Sequence, residues 1–164
     1  MQIDYMAVEN SLGWFMVAAT EQGTCSVMLG DSEADLLSEL KQKFPRALIT
    51  RDEQKLKSQV EALLECMAGR LPSLDFPLDE KGTPFQLRVW QELRRIPRGE
   101  TISYSELAKR IGRPKAVRAV ASACANNPVA IYTPCHRVVR LNGELGGYRW
   151  GIERKRLLLA IEQK

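Results

Sequence analysis

The chain has 164 residues, enough for one domain of ordinary size or two small ones. Its 45% hydrophobic and 27% charged residues describe a globular chain with a sizeable core, and no apolar run approaches the roughly 20 residues that cross a bilayer. The net charge of +4 conceals an asymmetry: residues 1–82 carry 8 Lys+Arg against 14 Asp+Glu (−6), and residues 83–164 carry 16 against 6 (+10). The second half therefore suits a polyanion such as nucleic acid, or simply has a solvated basic face.

The amino terminus is acidic and polar and lacks the basic n-region of a signal peptide, which places the protein in the cytoplasm. The short apolar runs Trp14–Ala18 and Thr24–Leu29, parted by Glu21-Gln22-Gly23, read as a β-hairpin. A helix follows from Glu33 to Phe44, with Leu36, Leu37 and Leu40 on one face and Pro45 as its stop. A second helix is expected over Glu53 to Met67, where Leu56, Val60, Leu63, Leu64 and Met67 recur at helical spacing. Leu74, Phe76 and Leu78 alternate with polar residues and suit a closing strand. The first half is thus a small α/β unit, residues 1–80, with no catalytic constellation.

Residues 79–83 form the expected junction to a second domain, residues 81–164. Thr83-Pro84 opens a helix with Phe85, Val89, Trp90 and Leu93 inward, closed by Pro97 and Gly99. Ser103-Tyr104-Ser105-Glu106 has the form of a capping box, starting a helix that runs to Arg110 and stops at Gly112. Pro114 suits the first position of another helix, Lys115 to Asn126. Helix, short glycine-containing turn, helix is the helix-turn-helix pattern. Its second helix, KAVRAVASACAN, is mostly alanine. Such a helix either packs tightly in a core or lets its backbone approach the DNA minor groove, with Arg118 projecting alone.

The four cysteines, Cys25, Cys66, Cys124 and Cys135, form no CxxC pair and no zinc spacing, so the default is four free thiols. Cys25, Cys66 and Cys124 lie in apolar segments and read as small hydrophobes. Cys135 is different, because the only histidine, His136, follows it in TPCHRVV. On an extended strand the two side chains would point to opposite faces, so contact requires a bend at Pro134 or a bridging water. One His and one Cys fall short of a metal site. The pair is either inert and buried, or a thiol acidified by the imidazole and nearby arginines into a nucleophile.

TPCHRVV, with Tyr104 in ISYSELA, KAVRAV, Asn126-Asn127-Pro128 and Gly147-Tyr148-Arg149-Trp150-Gly151, resembles the O6-alkylguanine-DNA alkyltransferase family. The likeness runs almost continuously over residues 83–162, whereas the first half is similar to the family's variable α/β domain only in outline. The resemblance implies an α/β domain followed by a mainly α, winged-helix-like domain. It implies direct-reversal repair of double-stranded DNA containing alkylated bases: the lesion is flipped out through the minor groove, and the alkyl group of O6-alkylguanine, and of O4-alkylthymine, passes irreversibly to the protein.

By the same resemblance Cys135 is the acceptor and His136 its water-mediated base, oriented by Glu162. Asn127 braces the active-site turn, and Tyr104 rotates the target phosphate and protonates the leaving base. Arg118 fills the gap in the stack, with Tyr104, Ser105 and Arg113 also facing DNA. Val138, Tyr148, Arg149 and Trp150 form the substrate pocket. No metal, no cofactor, no membrane association and a monomer are implied. Two departures stand out. Tyr132 and Thr133 replace the usual aliphatic residues, and Trp150 occupies a position that is Gly in some relatives, where its indole is expected to narrow the pocket against groups as large as benzyl. Relatives that only bind lesions have Trp at the acceptor position, which Cys135 argues against. The motifs of the zinc-binding half of regulatory members do not occur in these residues, so a methyl-sensing transcription regulator is not expected, and a cysteine hydrolase remains the other catalytic alternative.

Overall fold

A computed structural model describes all 164 residues and divides them into two compact units. The first contains Met1–Glu80 together with Pro128–Ala130, and the second Lys81–Asn127 together with Ile131–Lys164. The small segment 128–130, which the sequence left in the second domain, belongs to the first because Val27 N donates to Pro128 O and Ala130 N donates to Val27 O, both at 3.0 Å.

The first unit is built on strands β1 (Gln2–Asn10), β2 (Gly13–Thr20), β3 (Gly23–Gly30) and β4 (Leu48–Arg51), in the order β3-β2-β1-β4. β1, β2 and β3 form an antiparallel meander, and β4 joins β1 in parallel after a helical crossover. That helix, α1 (Glu33–Lys43), is capped by Ser32, and α2 (Glu53–Met67) is capped by Asp52, each side chain accepting from a backbone N–H three residues on. Leu36 and Leu40 on α1 and Leu56, Val60 and Leu63 on α2 are buried, as their spacing predicts.

β1 and β4 were not expected. β1 buries Ile3, Tyr5 and Ala7 on one face with period two, a pattern broken at its end by the exposed Glu9 on that face. The closing strand at Leu74–Leu78 does not form. Pro77 has no N–H to give a ladder, and only a single bridge from Leu78 to Thr24 survives. The Pro77 carbonyl instead accepts from Thr24 N at 2.9 Å, and a Cβ on Gly23 would lie 2.6 Å from that oxygen. Only glycine allows this approach.

The second unit begins with α3 (Pro84–Leu93), capped reciprocally by Thr83 and Gln86. Val89, Trp90 and Leu93 are buried, and Trp90 Nε1 donates to Ala123 O at 2.8 Å. Strand β5 (Ile102–Ser103) leads into α4 (Tyr104–Arg110) and then, past Gly112, into α5 (Val117–Ala125). β6 (Val138–Val139) pairs in parallel with β5, and α6 (Ile152–Glu162) ends the unit.

Two sequence expectations are corrected here. Only half of the second capping box forms: Ser103 accepts from Glu106 N, but the Glu106 carboxylate turns to Arg110 at 3.3 Å. α5 starts at Val117 rather than Lys115, because Ala116 N closes a turn onto Arg113 O and so places Pro114 in that turn. Ala116 offers no side-chain cap.

Candidate active site

Asn127 sits one residue beyond the end cap of α5 and is fully buried. Its amide donates to Thr133 O at 2.8 Å and to Cys135 Sγ at 3.2 Å, tying the helix end to the segment that follows. Between them Ile131 takes φ 69°, the only non-glycine residue with positive φ. A β-branched residue adopts this backbone only when its surroundings enforce it. Thr133 is buried and its hydroxyl accepts from Arg94 Nε at 2.9 Å, while the Arg94 guanidinium lies 5.6 Å from the Tyr132 ring. Tyr132 and Thr133 thus share one arginine.

After Pro134 the chain makes a short 3-10 turn, Cys135–Arg137, and becomes extended only at Val138. Only the last two residues of TPCHRVV are therefore strand, and the extended alternative does not hold at Cys135 and His136. Behind the turn, His136 Nε2 lies 3.0 Å from Glu162 Oε2. Arg137 grips the same carboxylate through Nη2 at 2.6 Å and Nε at 2.9 Å, and its Nη1 donates to Ile96 O at 2.6 Å. Burial pushes the Glu162 carboxyl up, but the hydrogen bonds from His136 and Arg137 prevail and hold it at about 2. Burial lowers the His136 pKa against the raising influence of Glu162.

A neutral imidazole beside a carboxylate must place its proton on the nitrogen that faces it. His136 is then protonated on Nε2, leaving Nδ1, which is buried and has no partner, as a free acceptor.

Cys135 is 4% exposed, and burial raises its thiol to about 11 against the lowering effects of Asn127, Lys155 and Arg149. The expectation of an acidified resting thiol is thereby corrected: desolvation outweighs the surrounding cations. The thiol borders a cavity of about 310 Å³ lined also by Tyr104, Ala121, Cys124, Ala125, Gly147, Tyr148 and Arg149. Tyr104 is pushed up to about 12 by burial, and Tyr148 lies well above its ordinary value for the same reason. Arg149 donates to Asn127 O at 2.9 Å. Cys124, read from sequence as an inert hydrophobe, is on the cavity wall.

Val138 and Trp150 are not on that wall. Trp150 is buried and packs edge-on against Tyr148, ring centroids 5.3 Å apart, so it backs the wall rather than forming its rim. Arg113 and Arg118 are exposed, the first in the turn before α5 and the second on α5, and Ser105 is half-buried beside Tyr104.

Two residues of this cluster were not singled out by sequence reasoning. Arg137 is one. The other is Lys155, 0% exposed, whose ammonium donates to Val138 O at 2.7 Å, Leu145 O at 2.5 Å and Gly147 O at 3.1 Å. Helical spacing was the available signal: Lys155, Leu158 and Glu162, at i, i+3 and i+7, share the inward face of α6. No three side chains among His, Cys, Asp and Glu converge to hold a metal ion.

Residues 84–164 match the family described as 6-O-methylguanine DNA methyltransferase, DNA binding domain. Over 162 residues the chain is 49% identical to the bifunctional transcriptional activator/DNA repair enzyme Ada of Escherichia coli, covering 99% of this chain and 46% of that protein. It thus spans about half the length of the Ada proteins it matches. It is 40% identical over 151 residues to the inducible methylated-DNA–protein-cysteine methyltransferase of Bacillus subtilis, covering 92% of this chain and 84% of that one. Among solved structures it is similar to Mycobacterium tuberculosis OGT in complex with DNA, with a TM-score of 0.84, 38% identity, and 98% and 92% of the two chains covered.

Proposed function

Because this chain belongs to the methylated-DNA–protein-cysteine methyltransferase family, we propose that it repairs duplex DNA by taking the alkyl group of O6-alkylguanine onto Cys135. The observation that carries this reading is the position of Cys135 on a cavity of about 310 Å³, with the His136–Glu162 pair packed directly behind it. The cavity has the volume of a small-molecule site. A base inside a stacked duplex cannot reach it, so the lesion has to be flipped out.

The reaction needs one proton moved each way. The thiol, held near 11, keeps its proton at neutral pH, so the base must remove it as the carbon–sulfur bond forms. His136 Nδ1 accepts that proton through a bridging water, and Glu162 stabilises the resulting imidazolium. Sulfur attacks the alkyl carbon, the carbon–O6 bond breaks, and the electron pair leaves on guanine. Tyr104, on the cavity wall, donates its phenolic proton to the departing base.

The product is a thioether with no leaving group at neutral pH, so each molecule acts once. O4-alkylthymine presents the same alkyl–oxygen bond and is a second substrate. Trp150 restrains Tyr148 from behind, which makes groups as large as benzyl poor substrates. Arg118 occupies the gap left by the flipped nucleotide, while Arg113 and Ser105 contact the DNA backbone.

Intact-protein and peptide mass spectrometry after mixing with duplex DNA carrying one O6-methylguanine tests this. One methyl per chain on Cys135, absent in Cys135→Ala, is expected. Tight lesion binding by a protein that stays unmodified would replace repair by lesion sensing.

A further inference from the structure

Lys155 is the least expected residue of the second unit. A lysine is almost never fully buried unless it is paired, because an ammonium loses several kcal/mol of hydration when it leaves water. Here no carboxylate compensates. Three backbone carbonyls do, Val138 O on β6 and Leu145 O and Gly147 O in the loop that borders the cavity, and they use all three N–H donors. The ammonium also lies 5.8 Å from the centre of the Tyr104 ring. The nearest carboxylate on its own helix face, Glu162, is two turns away and already satisfied by His136 and Arg137.

Structural cross-linking alone is a poor reason to bury a cation, since a neutral donor would hold the same carbonyls at less cost. We propose that Lys155 is a positioning residue for alkyl transfer, a fixed positive charge held by three carbonyls beside the cavity so that negative charge forms on Cys135 rather than elsewhere. The proposal rests on Cys135 being the acceptor.

The groups that face this charge are the thiols of Cys135 and Cys124, the Tyr104 phenol and the His136 ring, together with Arg149 on the cavity wall. Lys155 draws the pKa of both thiols downward and opposes protonation of His136. Burial lowers its own pKa to about 8 against the raising influence of those thiols, so it is predominantly charged at neutral pH and loses the charge as pH rises through about 8. The two effects on Cys135 therefore run against each other: rising pH deprotonates the thiol and discharges the lysine that favours its thiolate. The pH profile of Cys135 reactivity is broader than a single titration for that reason.

The test is alkylation of Cys135 by iodoacetamide, followed by peptide mass spectrometry as a function of pH, in wild type, Lys155→Met and Lys155→Gln. Glutamine keeps hydrogen-bond donors for the carbonyls but has no charge, and thermal melts establish folding. Both folded variants are expected to label about tenfold more slowly near neutral pH, equivalent to about one unit of thiol pKa, with a profile displaced to higher pH and sharpened to one titration. Wild-type labelling in Lys155→Gln, or in both, overturns the proposal and leaves only a structural tie.

If neither variant folds, the Cys135 labelling rate of wild-type protein is followed across pH 6–10. A slope that slackens as the lysine discharges around pH 8 supports the coupling, and a rate that rises uniformly with hydroxide through that range overturns it. A wild-type protein that labels at Cys135 but takes no methyl from DNA defeats the repair reading without deciding this one.

Discussion

At Glu162 one carboxylate holds two side chains, and its charge state decides what both can do. Its folded pKa of about 2 lies below the 4.5 of an unperturbed carboxyl. Its ionisation therefore contributes stability fully above about pH 4.5, and the contribution is lost as pH falls from there toward 2. Replacing Glu162 by Gln should cost about 2 kcal/mol at pH 7, mostly from leaving Arg137 without its ion-pair partner, and much less at pH 3. Urea denaturation at the two pH values checks this, and an equal loss at both would mean that the carboxylate is not the anchor. The variant should also transfer methyl slowly, since a neutral amide stabilises imidazolium poorly.

Much at this scale was readable: the adjacency of Cys135 and His136 is in the sequence itself, and the family motifs indicated Asn127 and Glu162. The contact from Asn127 to the sulfur was not readable from the residues alone, because an eight-residue separation closes only through the turn at Ile131 and Pro134. Lys155 escaped because a lysine between Arg154 and Arg156 reads as part of a solvent-facing basic run unless its neighbours' burial is known.

The helix pair α4 and α5 places two arginines in different settings, and they should fail differently when removed. Arg113 lies in the connecting turn, where a phosphate contact is the expected role. Arg113→Ala should lower the slope of log affinity against log salt by about one and leave transfer normal at saturating DNA. Arg118, on the alanine-rich α5, has no charge partner to lose if it fills the stack. Arg118→Ala should leave the salt slope nearly unchanged and slow single-turnover methyl transfer from duplex DNA. Salt titrations of binding and quenched-flow transfer distinguish the two, and identical behaviour would merge their roles.

Helices were the most legible elements, since α2 carries both an aspartate cap and a continuous apolar stripe. The start of α5 was misplaced because proline at a first helical position is a preference, and the turn at Ala116 competed with it successfully. The strand at Leu74–Leu78 failed for a related reason: alternation was present, but Pro77 removed a donor that a ladder needs.

Across the whole molecule, the acidic first half and basic second half carry −6 and +10. All proposed site residues lie beyond residue 81, yet a fragment 81–164 should not be self-sufficient. Val129 and Ala130 are both 0% exposed in the intact chain, where Pro128 and Ala130 bond to Val27 on β3. Without residues 1–80 this segment loses its sheet, five residues before Cys135. The fragment should melt at a lower temperature than the full chain and label Cys135 with iodoacetamide over a broader range of rates. Circular dichroism and single-turnover kinetics report both, and full-chain behaviour would show that the segment needs no partner.

The same three residues also constrain heredity. Chain order would suggest two interchangeable cassettes joined near residue 80, but the loan of 128–130 to β3 makes them interdependent. A chimera that imports residues 1–80 from a relative inherits half of a pairing whose other half stays behind, so recombination between relatives succeeds only where β3 and this short return segment are compatible.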